Sequence, residues 1–179
     1  MAMKIRKSTA TVSPRRMYVD CRYGQMHLTT AFPPSGGFDE RTALLFLHDD
    51  KGSGADFNAC AALLGTDRSV YAPDLPGSGA SDGPAGRMSV ASLAGAIADL
   101  IDQLRLRQVD LVGAGRGALV ALELATLRPG EIRRLVIAGN PQPSVAPALP
   151  MLQVAEDTAA PFQEPAAALV TRMRGFLDR

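Results

Sequence analysis

The stretch "LVGAGRGAL", Leu111–Leu119, decides how this chain is read. It closes a strand-like run, Gln108–Gly113, and opens a helix-like one. Two patterns fit its glycines. Gly113, Gly115 and Ala118 match G-x-G-x-x-A, the loop on which a dinucleotide lays its pyrophosphate. Gly113 and Gly117 also match the outer glycines of G-x-S-x-G, the sharp strand-to-helix turn that lifts a nucleophilic serine above a sheet. On that second pattern Gly115 stands where the serine belongs.

The dinucleotide pattern needs an acidic residue at the tip of the next strand, to hold the ribose hydroxyls. The next strand-like run, "RRLVIAG", Arg133–Gly139, is followed by Asn140. The glycine loop should also follow the first strand of its unit, and here it follows the fifth strand-like run. Both requirements fail, so the dinucleotide reading is set aside. No cofactor or metal is implied.

Further from the turn, the pattern alternates. Met17–Cys21 and Gln25–Phe32 read as two strands joined by a tight turn at Arg22–Gly24. "TALLFLH", Thr42–His48, and "VYAP", Val70–Pro73, are continuous apolar runs of strand length, as in strands covered on both faces. Asp56–Leu64 reads as a short helix. Ser89 is placed as an N-cap, with Leu93, Ile97, Leu100 and Leu104 following at helical spacing and Asp99 and Asp102 on the other face. Ala118–Leu127 is a helix stopped by Pro129 and Gly130. Strands alternating with helices predict an α/β fold with a parallel, doubly wound sheet.

After Gly139 the periodicity ends. "NPQPSVAPALP", Asn140–Pro150, carries four prolines and reads as an extended connection. Met151–Asp157 is a short strand and Glu164–Arg179 a terminal helix with Pro165 near its first turn. The expected organisation is a flexible basic tail over residues 1–16, a core over 17–140, a proline-rich linker over 141–150 and a strand–helix segment over 151–179.

A length of 179 residues suits one domain with a sizeable core. A net charge of +1 gives no general attraction to nucleic acid or to a membrane surface. Aromatics are scarce and Trp is absent, which argues against stacking platforms for single strands. Neither nucleic acid nor membrane is an expected partner. Cys21 and Cys60 read as two buried free thiols of a cytoplasmic protein, not as a disulfide. No apolar run is long enough to span a bilayer. The basic start lacks the apolar region of a secretory signal.

Four segments then agree on one family. "LLFLHDDKGSGADF" looks like a strand followed by an H-G-x-x-G-S loop, and "VYAPDLPGSGASD" like a D-x-P-G-x-G-x-S segment. "VDLVGAGRGALVALELATLRPGEIRRLVIAG" looks like a strand, elbow, helix and strand block. "DTAAPFQEPAAALVTRMRGFL" looks like G-H-x-P-x-x-E-x-P and a final helix, with Pro165 one place early. Over residues 17–140 and again over 151–179 the chain resembles the α/β-hydrolase superfamily. The resemblance implies a hydrolase-like parallel sheet flanked by helices, here a shortened member without a cap region and truncated after strand 6.

The resemblance also implies a site, and its chemical positions are changed. The nucleophile position is Gly115, which has no side chain to attack with. The base position is Ala159. The oxyanion loop carries Asp49 where the family has glycine, and a carboxylate there would oppose a developing oxyanion. The position after strand 6, where some members keep their acid, is Asn140. Only His27 and His48 exist in the chain, and His27 reads as structural. Cys60, Ser78 and Ser81 are the candidates for a relocated nucleophile, but Cys60 reads as a buried thiol on a helix and both serines as parts of a turn motif. Four departures together predict that triad hydrolysis is lost.

What remains at the carboxyl ends of the strands is a charged set: His48, Asp49, Asp50, Lys51 and Arg116. Ligands of open parallel sheets bind at that edge. His48, Asp49, Asp50 and Arg116 are therefore the candidate ligand-binding residues. The plainer expectation is that Asp49 or Asp50 pairs with Arg116 and fills the vacated place. The function expected is that of a pseudo-hydrolase that binds a small molecule or a protein partner. The alternative is a non-triad enzyme, a lyase, cyclase or atypical hydrolase, moving protons with His48 and Asp49. The short connection at 140–150 gives a last expectation. Met151–Asp157 should fail to add beside strand 6, leaving Leu135–Ala138 as an apolar edge that a homodimer covers.

Overall fold

The structure, a computed structural model, describes residues 10–36, 41–142, 147–155, 162 and 165–179. Seven strands are formed among them: β1 (Arg15–Cys21), β2 (Gly24–Ala31), β3 (Ala43–Leu47), β4 (Val70–Pro73), β5 (Val109–Ala114), β6 (Ile132–Ala138) and β7 (Met151–Ala155). The helices are α1 (Asn58–Leu64), α2 (Val90–Gln103), α3 (Arg116–Leu127) and α4 (Ala166–Leu177), with a 3-10 turn at Gly54–Phe57 leading into α1.

All seven strands form one sheet in the order β1-β2-β4-β3-β5-β6-β7. From β4 to β7 the neighbours run parallel. The β1–β2 hairpin is antiparallel, and β2 also pairs antiparallel with β4. The sheet is therefore mixed, with the expected parallel core and an antiparallel hairpin on one edge.

The continuous apolar runs are explained by cover on both faces. Along β3, Leu45 and Leu47 join the layer under α2 and α3, while Leu44 and Phe46 join the layer under α1 and α4. Along β6, Leu135 and Ile137 face the first layer, and Val136 and Ala138 the second. This is the period-two alternation of a strand, with both faces dry. Ser89 caps α2 as expected: its Oγ accepts the Ser92 N–H at 3.0 Å.

Two sequence expectations are corrected here. The tail placed over residues 1–16 joins the fold before its end. The Val12 N–H donates to the Ala62 carbonyl at 2.9 Å, and Arg15 and Arg16 already pair with Thr30 and Thr29 in the hairpin. The second correction concerns the far edge. The sheet does not stop at β6: β7 pairs parallel with it, Leu135 opposite Met151 and Val136 opposite Leu152. The Leu135 N–H donates to the Pro150 carbonyl at 3.0 Å, and Leu135–Ala138 are buried. The physical reason is reach. A parallel crossover only has to travel back along one strand, roughly 23 Å for seven residues. Residues 139–150 extended can span roughly 40 Å, so no helix is needed. The edge that a second chain was expected to cover is covered by this chain.

The order of the strands also positions the site. From β3 the chain crosses to β4 on one side, and from β4 it crosses back to β5 on the other. The carboxyl ends of β3 and β5 thus flank the point where the winding reverses, which is where open α/β sheets form a crevice.

Candidate functional site

Gly115 follows β5 and precedes α3, with φ +52° and ψ −117°. That backbone geometry is costly for a residue with a side chain and free for glycine. The expected sharp elbow is present. Gly117 completes it. A Cβ there would stand 2.1 Å from the Leu47 carbonyl oxygen, so only glycine lets α3 start this close to the end of β3.

At Gly115 the occupant of the missing side chain's place is Asp49. A Cβ on Gly115 would lie 2.2 Å from Asp49 Cγ and 2.3 and 2.5 Å from its two carboxylate oxygens. The Asp49 Oδ1 accepts the Arg116 N–H at 2.7 Å. A carboxylate in this position satisfies the first free donor of α3 and meets the positive end of the helix. In the elbow pattern the N–H of the residue after the nucleophile is an oxyanion donor. Here that donor is already engaged by a negative group.

His48 is buried and bonded at both ring nitrogens. Its Nε2 accepts the Leu75 N–H at 2.8 Å, so Nδ1 carries the proton and donates it to the Asp49 carbonyl at 2.7 Å. The ring ties β3 to the loop after β4. Both nitrogens are hydrogen-bonded to backbone groups.

Asp50 joins the neighbouring chain segments. Its Oδ1 takes Arg116 Nη1 at 2.7 Å and its Oδ2 takes Arg87 Nη2 at 2.6 Å. A second Arg116 nitrogen donates to the Met88 carbonyl. The four expected site residues therefore lie together, and the plainer expectation is realised by both acids: Asp49 on the Arg116 backbone, Asp50 on its side chain.

Beside this corner opens a cavity of about 290 Å³. Its polar wall is made by His48, Asp50, Ser78, Arg87 and Arg116. Its apolar wall is made by Leu75, Pro76, Met88 and Leu93. The volume is at the small end of the ~300–1,000 Å³ of ligand pockets.

Four other side chains resolve into structural roles. Asp74, which opens the D-x-P-G-x-G-x-S segment, is buried and accepts from the Gly54 N–H at 2.7 Å, the Ala80 N–H at 2.9 Å and the His27 ring at 2.9 Å. His27 is thus structural, as expected. Ser81 Oγ donates to the Asp74 carbonyl and accepts the His27 N–H. Cys60 is buried in α1, and burial pushes its thiol up to about 11. Neither Ser81 nor Cys60 is placed to attack a ligand. Ala159, the expected base position, lies outside the described residues. Sequence reasoning missed Arg87 and Met88, which sit in "GPAGRMSV", a stretch without periodicity.

With this geometry in hand, comparison with known proteins is direct. A family model described as alpha/beta hydrolase fold matches residues 44–177. The chain belongs to that family. An uncharacterized protein of Mycobacterium tuberculosis is 35% identical over 95 residues, which is 53% of this chain and 28% of that one. The 2-hydroxy-6-oxo-2,4-heptadienoate hydrolase of Pseudomonas putida is 39% identical over 86 residues, 48% of this chain and 31% of the enzyme. An epoxide hydrolase from Vigna radiata superposes with a TM-score of 0.65 at 26% identity, covering 73% of this chain and 39% of that one. A serine-to-glycine mutant of an N-acyl homoserine lactonase, complexed with N-hexanoyl homoserine lactone, gives 0.62 at 27% identity over 71% and 46%. The chain spans less than a third of the length of these curated relatives and less than half of that of the solved ones. Among the described residues, no helix is long and apolar enough to cross a membrane.

Proposed function

We propose that this α/β-hydrolase-fold chain does not hydrolyse and instead binds a small molecule in the cavity beside its elbow. One observation carries the reading. The Asp49 carboxylate occupies the place of the elbow side chain and engages the Arg116 N–H. A nucleophile is absent there, and an incoming oxyanion would meet a fixed negative charge instead of a free donor. The cavity supports binding: it combines an apolar wall with a few polar groups, at the edge where ligands of such sheets sit. The hydrolase names of several relatives support a small organic ligand.

The test has two arms. Short acyl nitrophenyl esters should be turned over no faster than in buffer, and a serine-reactive phosphonate should leave the intact mass unchanged. A fragment screen followed by amide chemical shifts should show saturable changes that cluster on Ser78, Met88 and Arg116. A single phosphonate adduct overturns the loss of hydrolysis. Fragments that bind everywhere except this cavity overturn the ligand site.

A further inference from the structure

We propose that the ligand of this cavity is a small organic anion, a carboxylate with a short apolar body, recognised by Arg87 and Arg116 in exchange for Asp50. The inference rests on the cavity being the ligand site, and it adds the chemical class.

Two guanidiniums and one carboxylate line the cavity, so its wall carries a surplus of one positive charge. Asp49 does not line the cavity, and its carboxylate faces the positive end of α3, which offsets part of its charge. The three charged groups differ in how firmly they are held. Arg116 is 14% exposed and anchored a second time by the Met88 carbonyl. Arg87 is 73% exposed, Asp50 is 41% exposed, and one contact joins them. An ion pair this open to water contributes little, so an external carboxylate competes with it readily. Arg116 is then a fixed anchor and Arg87 a movable arm. The guanidinium fork suits a carboxylate because two parallel N–H groups meet its two oxygens. Ser78 Oγ has no hydrogen-bond partner among the described residues and lines the same wall, which supplies one more donor. Leu75, Met88 and Leu93 face the remaining space, which is why the anion should carry a short apolar body.

Asp50 is the resident competitor in this scheme, and that gives the test its sign. Hexanoate and hexanamide share one body and differ in charge, so they serve as the probe pair, titrated at fixed ionic strength and followed by the Ser78 and Arg116 amide shifts. Hexanoate should bind, and hexanamide should bind about tenfold more weakly or worse. Arg87→Gln should weaken hexanoate by about tenfold. Asp50→Asn should tighten it by about threefold, because the internal carboxylate no longer competes. Circular dichroism of both variants checks that they fold. Equal binding of hexanamide overturns the anion inference and leaves the cavity as a site for neutral ligands. An Asp50→Asn variant that binds hexanoate more weakly overturns the exchange. Absence of hexanoate shifts at the cavity, with neutral fragments still shifting it, overturns the anion class alone. Silence from hexanoate and fragments alike overturns both this inference and the ligand site.

Discussion

The Asp49 carboxylate lies 2.7 Å from the Arg116 N–H and within 2.5 Å of where a Cβ on Gly115 would stand. Glycine at 115 and aspartate at 49 thus occupy one volume between them. The sequence shows each substitution as a separate departure from a motif. That they compensate was not legible, because it depends on how a loop after β3 folds against a turn 66 positions later. What was legible is the backbone: glycines at 113, 115 and 117 announce an elbow whatever stands at its tip. Other single residues behave as their surroundings dictate. Cys60 is buried in α1 with its thiol pushed up to about 11, whereas Cys21 is half-buried on β1. At about pH 8 only about one Cys60 thiol in a thousand is ionised, and the reagent cannot reach it. We expect one thiol to react with a disulfide reagent in the native protein and two in denaturant. Rapid labelling of both in the native state would contradict the burial.

Between elements, the hairpin is tied to α2 by one ion pair. Asp99 accepts the Arg22 guanidinium at 2.7 and 2.8 Å and the Arg22 backbone N–H at 3.1 Å. The Arg22 hydrogen bonds hold the Asp99 carboxyl below its ordinary value, and partial burial opposes them only in part. A carboxyl lowered in the folded state contributes stability above its unfolded value of about 3.9 and loses it as pH falls through the folded one. We expect Asp99→Asn to be less stable than the parent at about pH 6, with the gap narrowing as pH falls below about 3.9 in urea unfolding. A constant difference across that range would remove Asp99 from the acid limb. The same scale explains what the sequence showed and what it withheld about the fold. Strand and helix positions were readable because both faces of β3, β5 and β6 are dry and α2 has a capped apolar stripe. The turn at Arg22–Gly24 was readable from its residues. The pairing of β7 was not, because a proline-rich connection shows no crossover helix, while its extended reach alone is enough to return along β6. The antiparallel pairing of β2 with β4 was not, because apolar pattern sets the face of a strand and not its neighbour or direction.

Across the whole molecule, two apolar layers hold a hydrolase-fold sheet whose carboxyl edge is closed from within. His48, Asp49 and Asp50 follow one another in sequence and tie this corner to Leu75, to the Arg116 backbone, and to the Arg87 and Arg116 side chains. The corner that performs chemistry in an elbow with a serine here contributes to holding the fold, and the cavity beside it is the ligand site we propose. That exchange is tested by a double-mutant cycle on the unfolding free energy of Gly115→Ser and Asp49→Ala. Gly115→Ser alone should destabilise the protein, from the positive φ and from the collision with the Asp49 carboxylate. Asp49→Ala alone should cost about 1 kcal/mol for the lost helix donor partner. Together they should cost less than their sum by about 1–3 kcal/mol, because the collision is gone while the strain at 115 is common to both backgrounds. Strict additivity would mean that Asp49 does not occupy the place of the elbow side chain.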